Sequence, residues 1–283
     1  MWNWKGSRTM ASKREPNSIE TLPSGVEVHY FDSIGVDGKP QQRRYMVEGE
    51  RTASVSTIAK YIDPDPSGLL YWSSGLTCQG ISQLASETGD LSWLGSGDSI
   101  QAALRDAELT WTDIRDKAAT RGTNVHERIF AALAERHTLP SLADLSEEER
   151  GYGQAAIRWW NDRNPKPILT EQMTASAAYG FAGRFDLLCE IDGEVVLVDA
   201  KTREKGKPRV TDHVQLAGYG IANAESGFPE ADRNLILILM PDGEYLEVTG
   251  VAEKDDFLAA LAVYQRKAAL GKMMRAQAKG VAA

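Results

Sequence analysis

The sequence of 283 residues predicts an α/β fold of the mixed α+β type, in which a central mixed sheet is flanked by helices. Its composition, 42% hydrophobic and 25% charged residues, is typical of a folded globular protein. The carboxyl-terminal half alternates apolar, β-rich segments with segments of helical periodicity. Three predicted strands follow one another closely there, and the tight turn Asp192-Gly193 joins the last two.

The amino-terminal third predicts a hairpin followed by a helical layer. Residues 1–20 are polar and lack periodicity, so we expect a mobile tail. Val26–Phe31 and Arg43–Val47 flank the turn signal Asp37-Gly38-Lys39-Pro40, which predicts a β-hairpin. Several helical pieces are expected from Ser54 to about Arg105. We therefore divide the chain into the tail (1–20), a hairpin and helical region packed on the core (21–110), and the core itself with a carboxyl-terminal helix (111–283).

The core begins with two predicted helices. Helical periodicity runs from Thr112 to Arg136, and Gly122 is a position where this helix is expected to kink or break. A second helix starts at Ser146, which forms a capping-box pattern with Glu149, and runs to about Asn161. The remaining predicted elements are strands at Ile168–Ala175, Gly183–Ile191 and Glu194–Lys201, a helix at Thr211–Ala224, strands at Asn234–Met240 and Tyr245–Val248, and a helix at Glu253–Ala278.

Charge and cysteine content exclude several kinds of protein. A formal net charge of −8 argues against a protein that coats nucleic acid, because such proteins carry a basic surface. Cys78 and Cys189 are too few for a disulfide framework, a four-cysteine zinc site or an iron–sulfur cluster, and we interpret both as reduced thiols. No run is apolar enough to span a membrane, so we expect a cytoplasmic protein. No glycine-rich phosphate loop follows a predicted strand, which leaves ATP-driven activity unsupported.

An acid and a lysine stand at the end of the most apolar predicted strand. Asp199-Ala200-Lys201 follows the run Val195–Val198. Side chains two residues apart lie on the same face of a strand, so Asp199 and Lys201 should be neighbours. The same spacing occurs by chance in the turn signal Asp37-Gly38-Lys39, so the pattern acquires meaning only from its context.

Asp186 supplies that context. It lies on the strand that the Asp192-Gly193 turn folds back beside Asp199. Two carboxylates at the ends of adjacent strands repel each other and are costly unless a cation neutralises them. Hard oxygen ligands select Mg²⁺ or Mn²⁺. The sequence therefore predicts a divalent-metal site, and the alternative is a surface acid pair with Lys201 as its counterion.

Two other features are candidates for the same site. His126 lies on the first predicted core helix and is either a metal ligand or an ordinary residue of a partly apolar helix face. A run of basic residues follows the apolar strand and is either a local patch for a polyanion or a solvated loop. These basic residues are Lys201, Arg203, Lys205, Lys207 and Arg209.

Taken together, these residues resemble the PD-(D/E)xK nuclease superfamily. The likeness is strongest to the RecB-type exonucleases, including small phage-encoded relatives, and covers roughly residues 115–240. It implies a restriction-endonuclease-like core. The chain departs from the CRISPR-associated branch, which carries four cysteines for an iron–sulfur cluster. The residues that carry the resemblance are His126, Glu171, Gly183 to Asp186, Asp199-Ala200-Lys201, Gln215 and Tyr219.

The resemblance implies a role for each of these residues. His126, Asp186, Asp199 and the backbone carbonyl of Ala200 would bind the metal. Lys201 would orient or activate the attacking water, and Gln215 and Tyr219, four residues apart on one helix face, would line the site. Glu171 is matched at the first core strand, where an acid is equally often only solvent-exposed. Without the resemblance, Gln215 and Tyr219 could equally be the polar edge of a helix.

The implied activity is Mg²⁺- or Mn²⁺-dependent hydrolysis of DNA phosphodiester bonds. We expect an exonuclease of phage or bacterial DNA recombination, replication or repair, acting in the host cytoplasm if phage-encoded. Any recombination or helicase partner would be a separate chain, and neither a membrane nor a nucleotide cofactor is expected. The alternative is an inactive nucleic-acid-binding or scaffolding protein of the same fold, which the intact His126, Asp186, Asp199 and Lys201 disfavour. Strandedness, polarity and the number of metals stay open.

Overall fold

The fold was examined in a computed structural model, whose described residues are 16–31, 44–63, 67–136 and 141–281. Nine strands within these ranges form one mixed sheet, and helices pack on both of its faces. The predicted fold class is therefore confirmed. No helix in the described ranges has the length and apolar character needed to cross a membrane.

The strands agree with the predicted ones to within a few residues in the core, and two were not predicted in the amino-terminal region. Their bounds are β1 (Ser18–Thr21), β2 (Glu27–Phe31), β3 (Arg44–Val47), β4 (Glu50–Ser54), β5 (Lys166–Ser176), β6 (Phe181–Ile191), β7 (Glu194–Thr202), β8 (Arg233–Leu239) and β9 (Tyr245–Thr249).

The helices follow the predicted order. Their bounds are α1 (Val55–Ala59), α2 (Ser67–Thr88), α3 (Gly97–Asp106), α4 (Trp111–Val125), α5 (Ala131–Arg136), α6 (Glu147–Arg163), α7 (Val210–Ser226) and α8 (Lys254–Val281). Short 3₁₀ turns occupy Ser92–Gly95 and Leu142–Asp144, and one π-helical turn, His126–Phe130, joins α4 to α5.

The sheet topology leaves a gap beside β6. Strand β5 runs antiparallel along one edge of β6, from Lys166 opposite Glu190 to Ser176 opposite Phe181. The other edge is shared by β4, which pairs in parallel only with Phe181 and Ala182, and by β7, whose pairing begins at Leu187. Among the described strands, none pairs with the stretch 183–186 on that edge. The predicted site residue Asp186 lies in this gap.

Two apolar cores hold the helices against the sheet. On one face, Val196 and Val198 of β7 pack with residues of α4, the π-helical turn and α6, where Trp159 is fully buried. On the other face, Leu197 packs with residues of α1, α7 and α8, including Phe257. Successive side chains of β7 point alternately into these two cores, so both faces of the strand are buried. A strand buried on both faces requires a near-continuous apolar sequence, as β7 has.

In the amino-terminal region one expectation is corrected, one is confirmed, and one strand was not predicted. Ser18–Thr21 form β1, paired with β2, so the expected tail 1–20 does not extend through residue 20, and residues 1–15 lie outside the described ranges. The β2–β3 hairpin is confirmed, but its turn at Asp37 to Pro40 lies outside those ranges. Strand β4 was not predicted and connects the hairpin to β6, so this region extends the central sheet as well as adding helices.

The helix predicted at Thr112–Arg136 is present, but its irregularity lies elsewhere than expected. Gly122 sits inside α4 without a break, and a Cβ added there would lie 3.4 Å from Thr202 Oγ1, so the glycine permits close approach of α4 to β7. The departure from α-helical geometry is the π-helical turn that begins at His126. Such turns are rare in proteins, and those that occur are often found at functional sites.

Candidate active site

Two carboxylates face each other across β5 and β6. Glu171 lies between Thr170 and Gln172, which pair with Leu187 and Phe185, so Glu171 is opposite Asp186. Like charges directly opposite on a sheet destabilise the pairing. The arrangement therefore favours binding of a cation at this position.

The backbone of Glu171 has an unusual conformation for a strand residue. Its φ of +48° lies in the left-handed region, which is costly for a residue with a Cβ. The Nε atom of Arg184 lies 3.1 Å from Glu171 Oε2, and the Arg184 guanidinium stacks over the ring of Tyr30. These contacts hold the Glu171 carboxylate on the side of the sheet where Asp186 lies.

His126 joins this pair of acids from the helical layer. As the first residue of the π-helical turn, it places Nδ1 3.5 Å from Asp186 Oδ1. Burial by itself lowers the pKa of His126, but the Asp186 carboxylate outweighs burial and raises that pKa above its ordinary value. Burial by itself raises the pKa of Asp186, and His126, Lys201 and the Ala200 N–H together bring it below its usual range.

Asp199 and Lys201 lie side by side at the end of β7, as their spacing predicts. Lys201 Nζ is 2.6 Å from Asp199 Oδ2, and only 1% of the Asp199 side chain is exposed. Burial, together with the charge of Asp186, raises the pKa of Asp199 to about 6, against the opposing effect of Lys201. Burial lowers the pKa of Lys201, but Asp199 and Asp186 outweigh it, and the net shift is upward. The backbone N–H of Ala200 donates to Asp186 Oδ2 at 2.8 Å. This hydrogen bond holds the Asp186 carboxylate beside Asp199.

The helical face of α7 supports Asp199 from the other side. Gln215 Nε2 donates to Asp199 Oδ1 and to Tyr219 Oη, both at 3.1 Å. Burial and the nearby Asp199 carboxylate raise the pKa of Tyr219 well above its ordinary value. Gly183 is essential to this contact, because a Cβ at that position would lie 2.6 Å from Tyr219 Cε1. The structure thus brings Gln215 and Tyr219 to the site that the resemblance implied.

The donor set fits a divalent cation. Ligand atoms of His126, Glu171 and Asp186 all lie within 4.8 Å of one another, close enough to share one ion. Two carboxylates and an imidazole suit a hard or borderline metal. Asp199 is not in this group among the described residues, and its oxygens contact Lys201 and Gln215. The set therefore includes Glu171, which the sequence left undecided, while ligation by Asp199 and by the Ala200 carbonyl stays a prediction.

These residues lie in an open groove of about 1320 Å³. Seven cationic and five acidic side chains line it, so the groove is locally basic in a chain of net charge −8. Lys205, Lys207 and Arg209 are exposed along it, and none is ion-paired with an acid in the described part of the chain. Arg203 differs, since its guanidinium binds both oxygens of Asp212 at 2.7 and 2.6 Å. Within the basic run, Lys205, Lys207 and Arg209 therefore form an exposed basic patch, whereas Arg203 belongs to a structural ion pair.

Sequence reasoning missed several residues of the groove. Arg184 was quoted only as part of a motif, although its contact with Glu171 positions a candidate ligand. Arg121 of α4 lines the groove and stacks on Tyr152, with its Nε buried and without a hydrogen-bond partner. The first half of α2 forms a further part of the wall, which no motif indicated.

His213 and the two cysteines lie outside the proposed metal group. His213 Nδ1 accepts a hydrogen bond from the Val251 N–H and does not line the groove. Cys189 is buried, and burial raises the pKa of its thiol to about 12, which agrees with an unreactive thiol. Cys78 is exposed on α2 and lines the groove.

Comparison with known proteins identifies a family. The sequence model described as PDDEXK_1, PD-(D/E)XK nuclease superfamily, matches residues 97–280, which include each of the site residues described above. A search of curated proteins finds no match to this chain.

Solved structures show weaker likeness. The alkaline exonuclease LHK-Exo from Laribacter hongkongensis is 15% identical, with 70% of this chain and 92% of that chain covered and a TM-score of 0.35. Its complex with dAMP gives 16% identity, coverage of 81% and 94%, and a TM-score of 0.36. SSO0001 is 18% identical over 42% of this chain, with a TM-score of 0.28, and the match spans just over half of SSO0001, 56% of its length.

Proposed function

Because the chain belongs to the PD-(D/E)XK nuclease superfamily, we propose that it is a divalent-metal-dependent deoxyribonuclease whose active centre is the groove around Asp186. The observation that carries the proposal is the convergence of His126, Glu171 and Asp186 beside the buried pair of Asp199 and Lys201. Clustered carboxylates repel one another and so lower the stability of the fold, and a bound cation would offset this repulsion.

His126, Glu171 and Asp186 would hold the ion, which supplies Lewis acidity toward the phosphate oxygens when bound. Asp199 keeps the Lys201 ammonium in place through the 2.6 Å contact. An ammonium has three N–H donors, so Lys201 can bind Asp199 and still donate to a water or to the phosphate. In this role Lys201 positions the attacking water and offsets the negative charge that develops in the transition state.

Gln215 and Tyr219 are positioning residues in this scheme. Gln215 bridges Asp199 and Tyr219, and Tyr219 packs against Gly183, which lies three residues before Asp186 on β6. Movement of this bridge would shift the Asp199 carboxylate and, with it, the lysine. Small displacements of catalytic groups lower the reaction rate strongly, because the reacting atoms must be closely aligned.

The metal is proposed to be Mg²⁺ or Mn²⁺. Carboxylate oxygens favour both ions, and the imidazole of His126 in the same group favours Mn²⁺ relative to Mg²⁺. We expect cleavage with either ion and none in EDTA. Titration of metal binding by calorimetry should show weaker affinity for His126→Ala and Glu171→Gln, whereas Lys201→Met should retain the metal.

Exonuclease action on DNA is the finer part of the proposal. It rests on the sequence resemblance, as does a role in phage or bacterial DNA recombination, replication or repair. The decisive assay uses purified protein with Mg²⁺ or Mn²⁺ on end-labelled linear DNA, circular DNA and single-stranded DNA. We expect linear DNA to be shortened from an end and circular DNA to persist. Cutting of the circle would establish an endonuclease, and inertness on every substrate, RNA included, would favour the inactive binding protein.

A further inference from the structure

The first half of α2 lines the same groove as the catalytic residues. Tyr71, Trp72, Leu76 and Gln79 line the groove, and Trp72, Leu76 and Gln79 follow helical spacing along one face. The helix has no charged residue from Ser67 to Ser86. This wall is therefore aromatic and uncharged, although it stands in a groove otherwise rich in charge.

The aromatic side chains on this wall are exposed, Tyr71 almost fully and Trp72 in part. Tyr71 is 84% exposed and Trp72 is 41% exposed, and Leu70 beside them is 64% exposed. Adjacent exposed large apolar residues mark a binding surface more often than single scattered ones do. The helix itself is anchored farther along, where Gly80 approaches Leu104 and Leu109 closely, so its first half projects along the groove.

The lining of the groove outside α2 has the complementary chemistry. It carries Lys201 and the exposed Lys205, Lys207 and Arg209, together with the acids that would hold the cation. A polyanionic backbone would bind to this wall, and flat apolar groups would bind to α2. One strand of nucleic acid presents these two chemistries on opposite sides when its bases are unpaired. A duplex keeps its bases stacked inside and offers phosphates on both outer surfaces.

We propose that α2 is a base-stacking platform, on which Trp72 and Tyr71 hold unpaired bases of one DNA strand while its phosphates face the wall of Lys205, Lys207 and Arg209. This inference rests on the proposed function and specifies its substrate as a strand that is single at the active site. The platform sets the position of the strand along the groove and so determines which phosphate reaches Asp186. Stacking tolerates any base, since every base has a π face.

The test measures binding apart from cleavage. An Asp199→Asn chain, which we expect to be cleavage-deficient, is titrated in Mg²⁺ with a labelled DNA strand of about 12 nucleotides. A second strand of equal length has abasic sites in place of its bases. We expect Trp72→Ala to weaken binding of the normal strand about tenfold and to leave binding of the abasic strand nearly unchanged. Trp72→Phe should retain most of the affinity, because it keeps an aromatic face.

Controls distinguish loss of base stacking from a general change in the fold or in the groove. Leu91→Ala removes an exposed apolar side chain that does not line the groove, and it should bind both strands as the parent does. Circular dichroism should show that Trp72→Ala keeps the native fold, and binding of the abasic strand then shows whether loss of the partly buried side chain has disturbed the rest of the groove. Equal loss of affinity for normal and abasic strands would overturn the platform, as would no loss at all. Tighter binding of a duplex, with the same loss on Trp72→Ala, would also overturn it.

The two proposals fail separately. If the wild-type chain cleaves DNA but binding is indifferent to Trp72, the platform is wrong and the nuclease stands. If binding depends on Trp72 and on the bases but no metal supports cleavage, the nuclease is wrong and the groove is a single-strand binding site.

Discussion

The end of β7 and the first turn of α7 each bury an aspartate against a basic side chain in the same groove. Asp212 accepts two hydrogen bonds from Arg203 Nη2 and a third from the Arg209 N–H at 2.7 Å. Asp199 accepts one from Gln215 and has the Lys201 ammonium against its other oxygen. Asp212 is thus fully satisfied by neighbours on its own loop and helix, whereas Asp199 depends on a lysine that also faces the groove.

The difference shows how a structural and a catalytic ion pair can be told apart. Arg203 contacts both oxygens of Asp212 through Nη2, and the two side chains are only 14% and 5% exposed, so this pair is almost enclosed. Lysine is a compact point charge with donors to spare. Burial lowers the pKa of Arg203 despite Asp212, which reflects an enclosed pair, while the pKa of Lys201 is raised by two acids despite its burial. The following predictions test this distinction.

The largest effect is expected at Asp199 and Lys201. Asp199→Asn and Lys201→Met should each slow DNA cleavage by about 100- to 1,000-fold, because they remove the charge that holds the lysine or the lysine itself. Circular dichroism should show that both variants keep the native fold, although Lys201→Met also lowers the free energy of unfolding, because it leaves the 1% exposed Asp199 carboxylate without its cation. Initial rates under single-turnover conditions with Mn²⁺ measure the effect. Activity like that of the wild type in either variant would remove these residues from the mechanism.

The next effect is a loss of stability at Arg203 and Asp212. Arg203→Met should lower the free energy of unfolding in urea by about 3 kcal/mol, because it leaves Asp212 buried without its cation. The double variant Arg203→Met/Asp212→Leu should recover much of that loss. Lys205→Met, on the exposed part of the same loop, is the control, with an expected change under about 0.5 kcal/mol. Unchanged stability with lost cleavage in Arg203→Met would place Arg203 on the substrate instead.

A smaller effect is expected at Gly183. A Cβ there meets Tyr219 and Val55, so Gly183→Ala should displace Tyr219 and reduce cleavage roughly tenfold, with a stability cost of about 1–3 kcal/mol. Gly220→Ala on α7 is the matched control, because no atom lies within 4 Å of the added Cβ. Equal behaviour of the two alanine variants would show that the contact between Tyr219 and Gly183 does not position the site.

The smallest effect concerns Glu149, a third buried acid, which caps α6 and accepts a 2.6 Å hydrogen bond from Asn124. Burial raises the pKa of Glu149, but Asn124 and Ser146 outweigh it, and the net shift is downward. Its stabilising effect is therefore present above the unfolded-state pKa and is lost as pH falls through the lowered one. Glu149→Gln should cost about 1 kcal/mol at neutral pH.

The difference in unfolding free energy between wild type and Glu149→Gln should shrink as the pH becomes acidic. Urea unfolding at a series of pH values measures it. A difference that stays constant down to strongly acidic pH would mean that the charge of Glu149 contributes nothing.

Much of the core followed from local sequence patterns. The apolar run before Asp199 and the Asp192-Gly193 turn predicted β7 and its hairpin with β6, whereas the place of Gln215 and Tyr219 at the site was implied only by the family resemblance. The turn residues have positive φ values of 56° and 88°, which is what such a hairpin requires. The serine and glutamate that open α6 form the capping box expected of them. Each of these signals lies within a few residues, where backbone geometry and hydrogen bonding act directly.

Other features depended on contacts between distant parts of the chain. Glu171 becomes a candidate ligand because β5 places it opposite Asp186 in a left-handed conformation, and Arg184 holds its carboxylate. The pairing of Arg203 with Asp212 and the approach of α2 to the groove have no periodic signature. A pattern of residues specifies which face of an element is buried, but which partner covers that face is decided only when all elements compete for the same apolar surface. The sequence therefore determined the acids, the lysine and the strands that carry them, and the tertiary structure decided which acids share a cation and which walls enclose them.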